Sequence, residues 1–202
     1  MGVSRLHETE GRIGEVVEAS TTTFVTQCYN LYNSPSIGSI VRANNRHPVY
    51  GIVSNINTQA IDPSRKPVPR GIDVNTEEDV YNANPQLQHL LRTEFQSTIV
   101  AYQAVNNIRF ELPPTPPQIY SFVQTCPPKE FEFPEVSTYL IKSLVNANLT
   151  ATDEVIAACL KSLATVRDNP TEFLINSGKD LIYFFQGDFR RVEQIIKSAS
   201  NE

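Results

Sequence analysis

The stretch from Ile13 to Gln59 limits what this chain can become. It contains four short segments of strand composition, Ile13–Ser20, Thr23–Cys28, Ser39–Ala43 and Val49–Gln59. They are rich in β-branched and aromatic residues, which fit a pleated surface. Turn chemistry separates them: Thr21-Thr22, then Asn33-Ser-Pro-Ser36 with Gly38, then Asn44-Asn45, a pair that tolerates positive φ. Alternation in the first segment is imperfect, as expected of a strand partly buried on both faces. Gly51 allows the last segment to bend. A sheet of such short strands hides its edges best by closing, so the expected fold is a small antiparallel β-barrel.

The chain then changes character. Residues 60–83, with Pro63, Pro67, Pro69 and Gly71, form a long excursion with little expected regular structure. Asn84-Pro85 signals a helix start carrying Leu87, Leu90 and Leu91 on one face. Phe95–Val105 returns to strand composition, and Ile108–Leu112 extends it or forms another strand. Pro113-Pro-Thr-Pro-Pro117 is a stiff exit, either a boundary or an arm laid along the barrel. Ile119–Val123 is a candidate for one further barrel strand.

From Glu135 the apolar period becomes helical. Thr150 with Asp153 resembles a capping box ahead of Val155, Ile156, Cys159, Leu160 and Leu163. Asn169, Pro170 and Glu172 form the clearest helix start in the chain. Gly178 is a point where that helix breaks or ends. Gly187-Asp188 reads as a stop followed by a cap for the last helix. The expected class is α+β, with a barrel over residues 1–125 including the proline-rich exit and a helical domain over 126–202. Residues 1–10 read as an unstructured lead-in.

Composition narrows the function. Net charge is −5 among 202 residues, which disfavours a general nucleic-acid binder. Cys28, Cys126 and Cys159 are widely spaced, lack a CxxC pair and read as small buried side chains. No apolar run approaches the ~18–20 residues of a spanning helix, and no secretory signal is visible. A soluble, cytoplasmic protein with no membrane contact is expected.

Chemical motifs are thin. Ser177-Gly178-Lys179 ends like a phosphate-binding loop, but Phe173 stands where that loop needs glycine, so a helix-end glycine beside a surface lysine is the plainer reading. Gly11-Arg-Ile-Gly14 lacks the rest of a dinucleotide fingerprint. His7, His47 and His89 have no second ligand at metal-binding spacing. Glu77-Glu78-Asp79 reads as a solvated run, and Tyr183-Phe-Phe185 as core or partner contact. No catalytic residue, cofactor site or metal site is expected. One candidate patch remains: Arg42, Arg46, Arg65, Lys66 and Arg70, with His47, meeting at one barrel end near Tyr29, Tyr32 and Tyr50 as an anion, nucleic-acid or partner surface, against the plainer reading of these cations as solvated loop residues.

Ile13-Gly-Glu-Val16, Thr23-Phe-Val25, Pro35-Ser-Ile-Gly38 ahead of Ile40-Val41, and Tyr50-Gly-Ile-Val53 together resemble the HAS-barrel of HerA-type translocases and rotary ATP synthases. Asn84-Pro-Gln-Leu87, Leu90-Leu-Arg92, Ser97–Tyr102 and Leu112–Pro117 extend the resemblance over roughly residues 10–125. In HerA-like chains the last of these leads into the motor domain. Family members that hydrolyse ATP carry a phosphate-binding loop and a catalytic domain after the barrel. Here a helical segment stands in that place, so the resemblance implies no ATPase activity. It implies what such barrels do: pack against neighbouring barrels or dock a partner. The expected function is a non-catalytic assembly or adaptor protein acting on itself or on a partner such as an ATPase complex. The alternative is a nucleic-acid-associated accessory factor using the basic loops.

Overall fold

The computed structural model describes residues 11–44, 46–105 and 107–200. The lead-in, with His7, and Asn45 of the expected hairpin lie outside the described residues. Six antiparallel strands close into a barrel: β1 (Arg12–Ala19), β2 (Thr23–Cys28), β3 (Ile40–Asn44), β4 (Val49–Ala60), β5 (Leu91–Gln103) and, after a two-residue β6 (Ile108–Arg109), β7 (Phe122–Thr125). Around the barrel the order is β1, β2, β5, β4, β3, β7 and back to β1, while β6 adds only to the end of β5. The interior holds Val16, Phe24, Val41, Val53, Phe95, Ile99 and Val123. Gly51 sits at a register shift in the β4–β5 ladder. A Cβ there would come within 2.8 Å of both the Phe24 ring and the Ser97 side chain. Glycine therefore lets the barrel wall bend inward over its own core.

The burial pattern of β4 records what lies outside it. Val49 to Val53 are all buried, whereas from Ser54 onward exposed and half-buried residues alternate. The first half of the strand is covered on both faces. Its outer cover is the helical unit, α3 (Val136–Asn146), α4 (Thr152–Ala164), α5 (Pro170–Phe184) and α6 (Phe189–Ser200). Ile40, Tyr50, Ile52, Val100 and Ala101 from the outer barrel face join Leu140, Leu144, Ile156, Leu160, Leu163 and Leu181 in one continuous apolar core. Each such aliphatic side chain taken out of water contributes about 1.5–3 kcal/mol. Short strands thus acquire a second hydrophobic face, which explains why the β3–β4 sequence does not alternate cleanly.

Several boundaries depart from expectation. The excursion contains a helix, α1 (Glu77–Ala83), capped by the Thr76 hydroxyl, which accepts from the Asp79 amide at 3.2 Å. Glu77, Glu78 and Asp79 therefore form its first turn, where carboxylates oppose the helix dipole. Asn84 closes this helix instead of opening the next, and its side-chain amide donates to the Val80 carbonyl. Only one turn, α2 (Leu87–Leu90), follows before Leu91 pairs with Ala60 in the β4–β5 ladder. Cross-strand pairing overrides the local helix signal. β7 starts at Phe122, later than the expected Ile119–Val123, because a turn at residues 118–121 places Tyr120 at φ +69°.

In the helical unit the expected capping box is absent. Ala151 occupies the cap of α4, the Thr152 hydroxyl bonds the Leu149 carbonyl, and Asp153 turns to Arg191. At α5 the expectation holds: Asn169 Oδ1 accepts from the Glu172 amide at 3.1 Å, with Pro170 in the first turn. Helix α5 passes unbroken through Gly178, which faces Ile196 of α6. Gly187, at φ +84°, ends the following turn, and Asp188 Oδ1 accepts from the Arg191 amide to open α6.

Candidate functional site

The helices pack on the β4 and β5 side of the barrel, while on the other wall the outward-facing side chains of β2, β1 and β7 are half-buried to exposed. Glu15 sits between Gln27 of β2 and Phe122 of β7 in the ladders, so the side chains of all three share that wall. Glu15 accepts a hydrogen bond from the Tyr29 hydroxyl at 2.8 Å. Desolvation of the phenol, then its bond to Glu15, pushes the Tyr29 pKa up to about 12. The Arg12 guanidinium lies 3.8 Å over the centre of the Phe122 ring, held there by cation–π attraction. Beside them the chain enters β7 through Ile119 and Tyr120, both exposed, Tyr120 to 73%. The Tyr120 amide donates to the Val16 carbonyl, and the Val16 amide donates to the Ser121 carbonyl. This backbone pairing, with Pro117 buried behind it, holds an apolar side chain outward on a rigid ladder. Within the proline-rich segment Pro113 and Pro117 are buried and the prolines between them exposed.

Two hollows flank the barrel's ends. One, of about 580 Å³, lies between the end of β2 and the excursion. Tyr32, at φ +61°, and Tyr81 of α1 meet across it, hydroxyl to hydroxyl at 2.6 Å with rings edge to face. The other, of about 650 Å³, lies between β6 and α3 and is lined by Phe110, Phe133 and Tyr139 with Glu111, Glu130 and Glu135. Phe110 stacks on Tyr139 at 4.9 Å between ring centres.

The register divides the basic residues expected to meet. Arg42 lies on β3, its Nε donating to Asn44 and its Nη1 3.9 Å from Glu130. Arg46 and His47 sit in the β3–β4 connection, at the start of β4. Arg65, Lys66 and Arg70 sit in the excursion that leaves from the other end of β4. A strand of that length spans roughly 35–40 Å. Arg65 pairs with Asp62 and Arg70 with Asn84, both near the point of departure. Tyr29 and Tyr32 are at this second end, while Tyr50 is buried in the core against Phe131. The five cations thus form two groups, one at each end.

Ser177 and Lys179 lie within α5, the Ser177 hydroxyl bonded to the Phe173 carbonyl, so the glycine between them is interior to the helix and not at its end. Cys28, Cys126 and Cys159 are buried free thiols. Burial raises their pKa values to about 11, 12 and 12. Among the described residues no group of three or more His, Cys, Asp or Glu is placed to hold a metal ion. No described helix is long and apolar enough to cross a membrane. The hollow between β6 and α3 had no signal in the sequence, because Phe110, Tyr139 and Glu111 meet only through tertiary packing. No protein-family model matches the chain, and no curated protein matches it.

Proposed function

We propose that this chain is a non-catalytic assembly or adaptor protein whose barrel associates with another copy or docks on a partner protein. The observation that carries the reading is the asymmetry of the barrel. One outer wall packs against α3 and α4 in the shared apolar core, whereas the β2–β1–β7 side carries Ile119 and Tyr120 exposed at the entry to β7, next to Phe122 under the Arg12 guanidinium. Exposed aromatic and aliphatic side chains set on a rigid, hydrogen-bonded ladder bind with little loss of entropy. The resemblance to HAS-barrels supports the same assignment, since those barrels assemble side by side, and it makes an ATPase complex the partner class of choice. The cytoplasm is the compartment we assign, given three unpaired buried thiols.

The test is the mass in solution across a concentration series, measured by light scattering. A mass that rises with concentration, and falls when Tyr120→Ser and Phe122→Ser are combined, supports association through the wall. A strict monomer removes self-association and leaves docking on a different protein. Salt-sensitive binding of single-stranded nucleic acid that is lost on replacing Arg65, Lys66 and Arg70 with alanine would replace this reading with the nucleic-acid one.

A further inference from the structure

We infer that successive copies of the chain join head to tail, the basic proline-rich segment 65–70 of one copy seating in the acidic aromatic hollow between β6 and α3 of the next. This rests on the assembly reading and names the partner as a second copy.

Two surfaces at opposite ends of the molecule fit each other. Residues 61–73 are exposed along their whole length, with Val68 65% and Ile72 95% exposed. Within them Arg65-Lys66-Pro67-Val68-Pro69-Arg70 carries three cations and no anion. Pro67 and Pro69 hold φ near −65°, so the segment loses little freedom on binding. Extended proline-rich segments dock in aromatic-lined grooves, with flanking cations meeting carboxylates.

The hollow supplies both features. Phe110, Phe133 and Tyr139 give the aromatic floor, and Glu111, Glu130 and Glu135 are exposed at it. Arg109 pairs with Glu111 at 3.2 Å and Arg42 leans on Glu130 at 3.9 Å, which offsets part of the charge; Glu135 keeps the lining acidic overall. The Arg65–Asp62 pair is largely exposed, and exchanging it for a carboxylate of the hollow costs little.

The two cannot meet within one molecule. The segment departs at Ala60 and returns at Leu91, whereas β6 pairs with Tyr102 and Gln103 at the far end of β5. Roughly 35 Å of strand separates them, and the Arg70–Asn84 and Tyr32–Tyr81 hydrogen bonds tie the excursion to its own end. A contact between unlike surfaces repeats from copy to copy and closes into a ring if the rotation allows.

The experiment is sedimentation of the full chain and of two charge-reversed variants, alone and mixed. Arg65→Glu, Lys66→Glu and Arg70→Glu together, and separately Glu130→Lys with Glu135→Lys, should each weaken self-association about tenfold or more. Mixing the two variants should restore association between them to within about threefold of the wild type. Unchanged association in the segment variant, or no recovery on mixing, overturns the inference. If the wild type then still associates and the Tyr120→Ser, Phe122→Ser variant does not, the assembly reading stands without it. A wild type that stays monomeric overturns the inference and leaves only docking on another protein. Should the Glu→Lys variant fold poorly, a peptide of residues 62–72 decides: it must compete with wild-type self-association, and a peptide without effect counts against the proposal.

Discussion

Gly38 lies flush against Cys159. A Cβ on Gly38 would sit 2.5 Å from the Cys159 backbone nitrogen and 2.6 Å from the Ala158 carbonyl carbon. The loop before β3 therefore touches the backbone of α4 directly, and the barrel and the helical unit meet where only glycine fits. Gly38 also has φ +82°.

Replacing Gly38 with alanine should accordingly be costly twice over, in backbone conformation and in displaced helix. We expect a loss of about 2–4 kcal/mol, read as a lower urea midpoint. Because the apolar core runs continuously from the outer barrel face into the helices, circular dichroism and tyrosine fluorescence should report one shared transition. Two separated transitions would mean that the core does not couple the two parts.

Gly51→Ala tests the barrel by itself. The new methyl group would press on the Phe24 ring and Ser97 inside a filled core. A destabilisation of about 1–3 kcal/mol is expected, and a variant as stable as the parent would show that the interior has room to yield.

Arg191 makes a two-pronged pair with Asp153, Nη2 to Oδ1 at 2.7 Å and Nε to Oδ2 at 2.9 Å, and its guanidinium lies 3.8 Å over the Phe185 ring. Both charged side chains are more than a third exposed, so solvent screens the pair. Arg191→Ala should cost about 1 kcal/mol. Arg191→Lys should recover little of it, since an ammonium cannot match the planar fork. Thermal melts of the two variants check this.

The thiols give a pH prediction. Folding raises their pKa values from about 9 to between 11 and 12 through burial, with a contribution from Glu94 at Cys28 and from Glu130 at Cys126. A raised folded value means that the native state keeps protons which the unfolded chain has released. The associated stability is complete below pH ~9 and is lost as pH rises towards ~12. Near neutral pH the thiols stay protonated and shielded, so a thiol reagent should label the native protein slowly and all three cysteines promptly in denaturant. Rapid labelling of the native protein would contradict the packing at these sites.

The exposed wall should be separable from stability. Ile119→Ser with Tyr120→Ser removes apolar surface from residues that contribute little to the core, so the melting temperature should move by only a degree or two while concentration-dependent mass is reduced. A large fall in melting temperature would place these side chains in the fold and not at an interface.

Local chemistry was legible where one residue's preference decides its own backbone. Asn169-Pro170-Glu172 and Gly187-Asp188 start and stop helices as their side chains require, and the strand-rich run from β1 to β4 implies closure because short strands leave edges to be paired. Asn84 and Thr150 show the limit. Each carries a helix-start signal that a partner distant in sequence outweighs, Ala60 pairing with Leu91 in one case and Arg191 drawing off Asp153 in the other. The candidate site was less legible still. Arg42 and Arg65 look close along the chain, yet they belong to opposite ends of β4, because an extended strand carries successive residues away from each other as quickly as a backbone can. Phe110 and Tyr139 are distant in sequence and stack. The amino-acid sequence alone determined a closed barrel with a helical tail, since turn chemistry, period and edge burial are local demands. Tertiary structure decided which wall the helices cover, which wall stays open and which charges share an end. Those outcomes depend on register and on long-range packing, where the energy belongs to pairs of residues and no single stretch of sequence contains both partners.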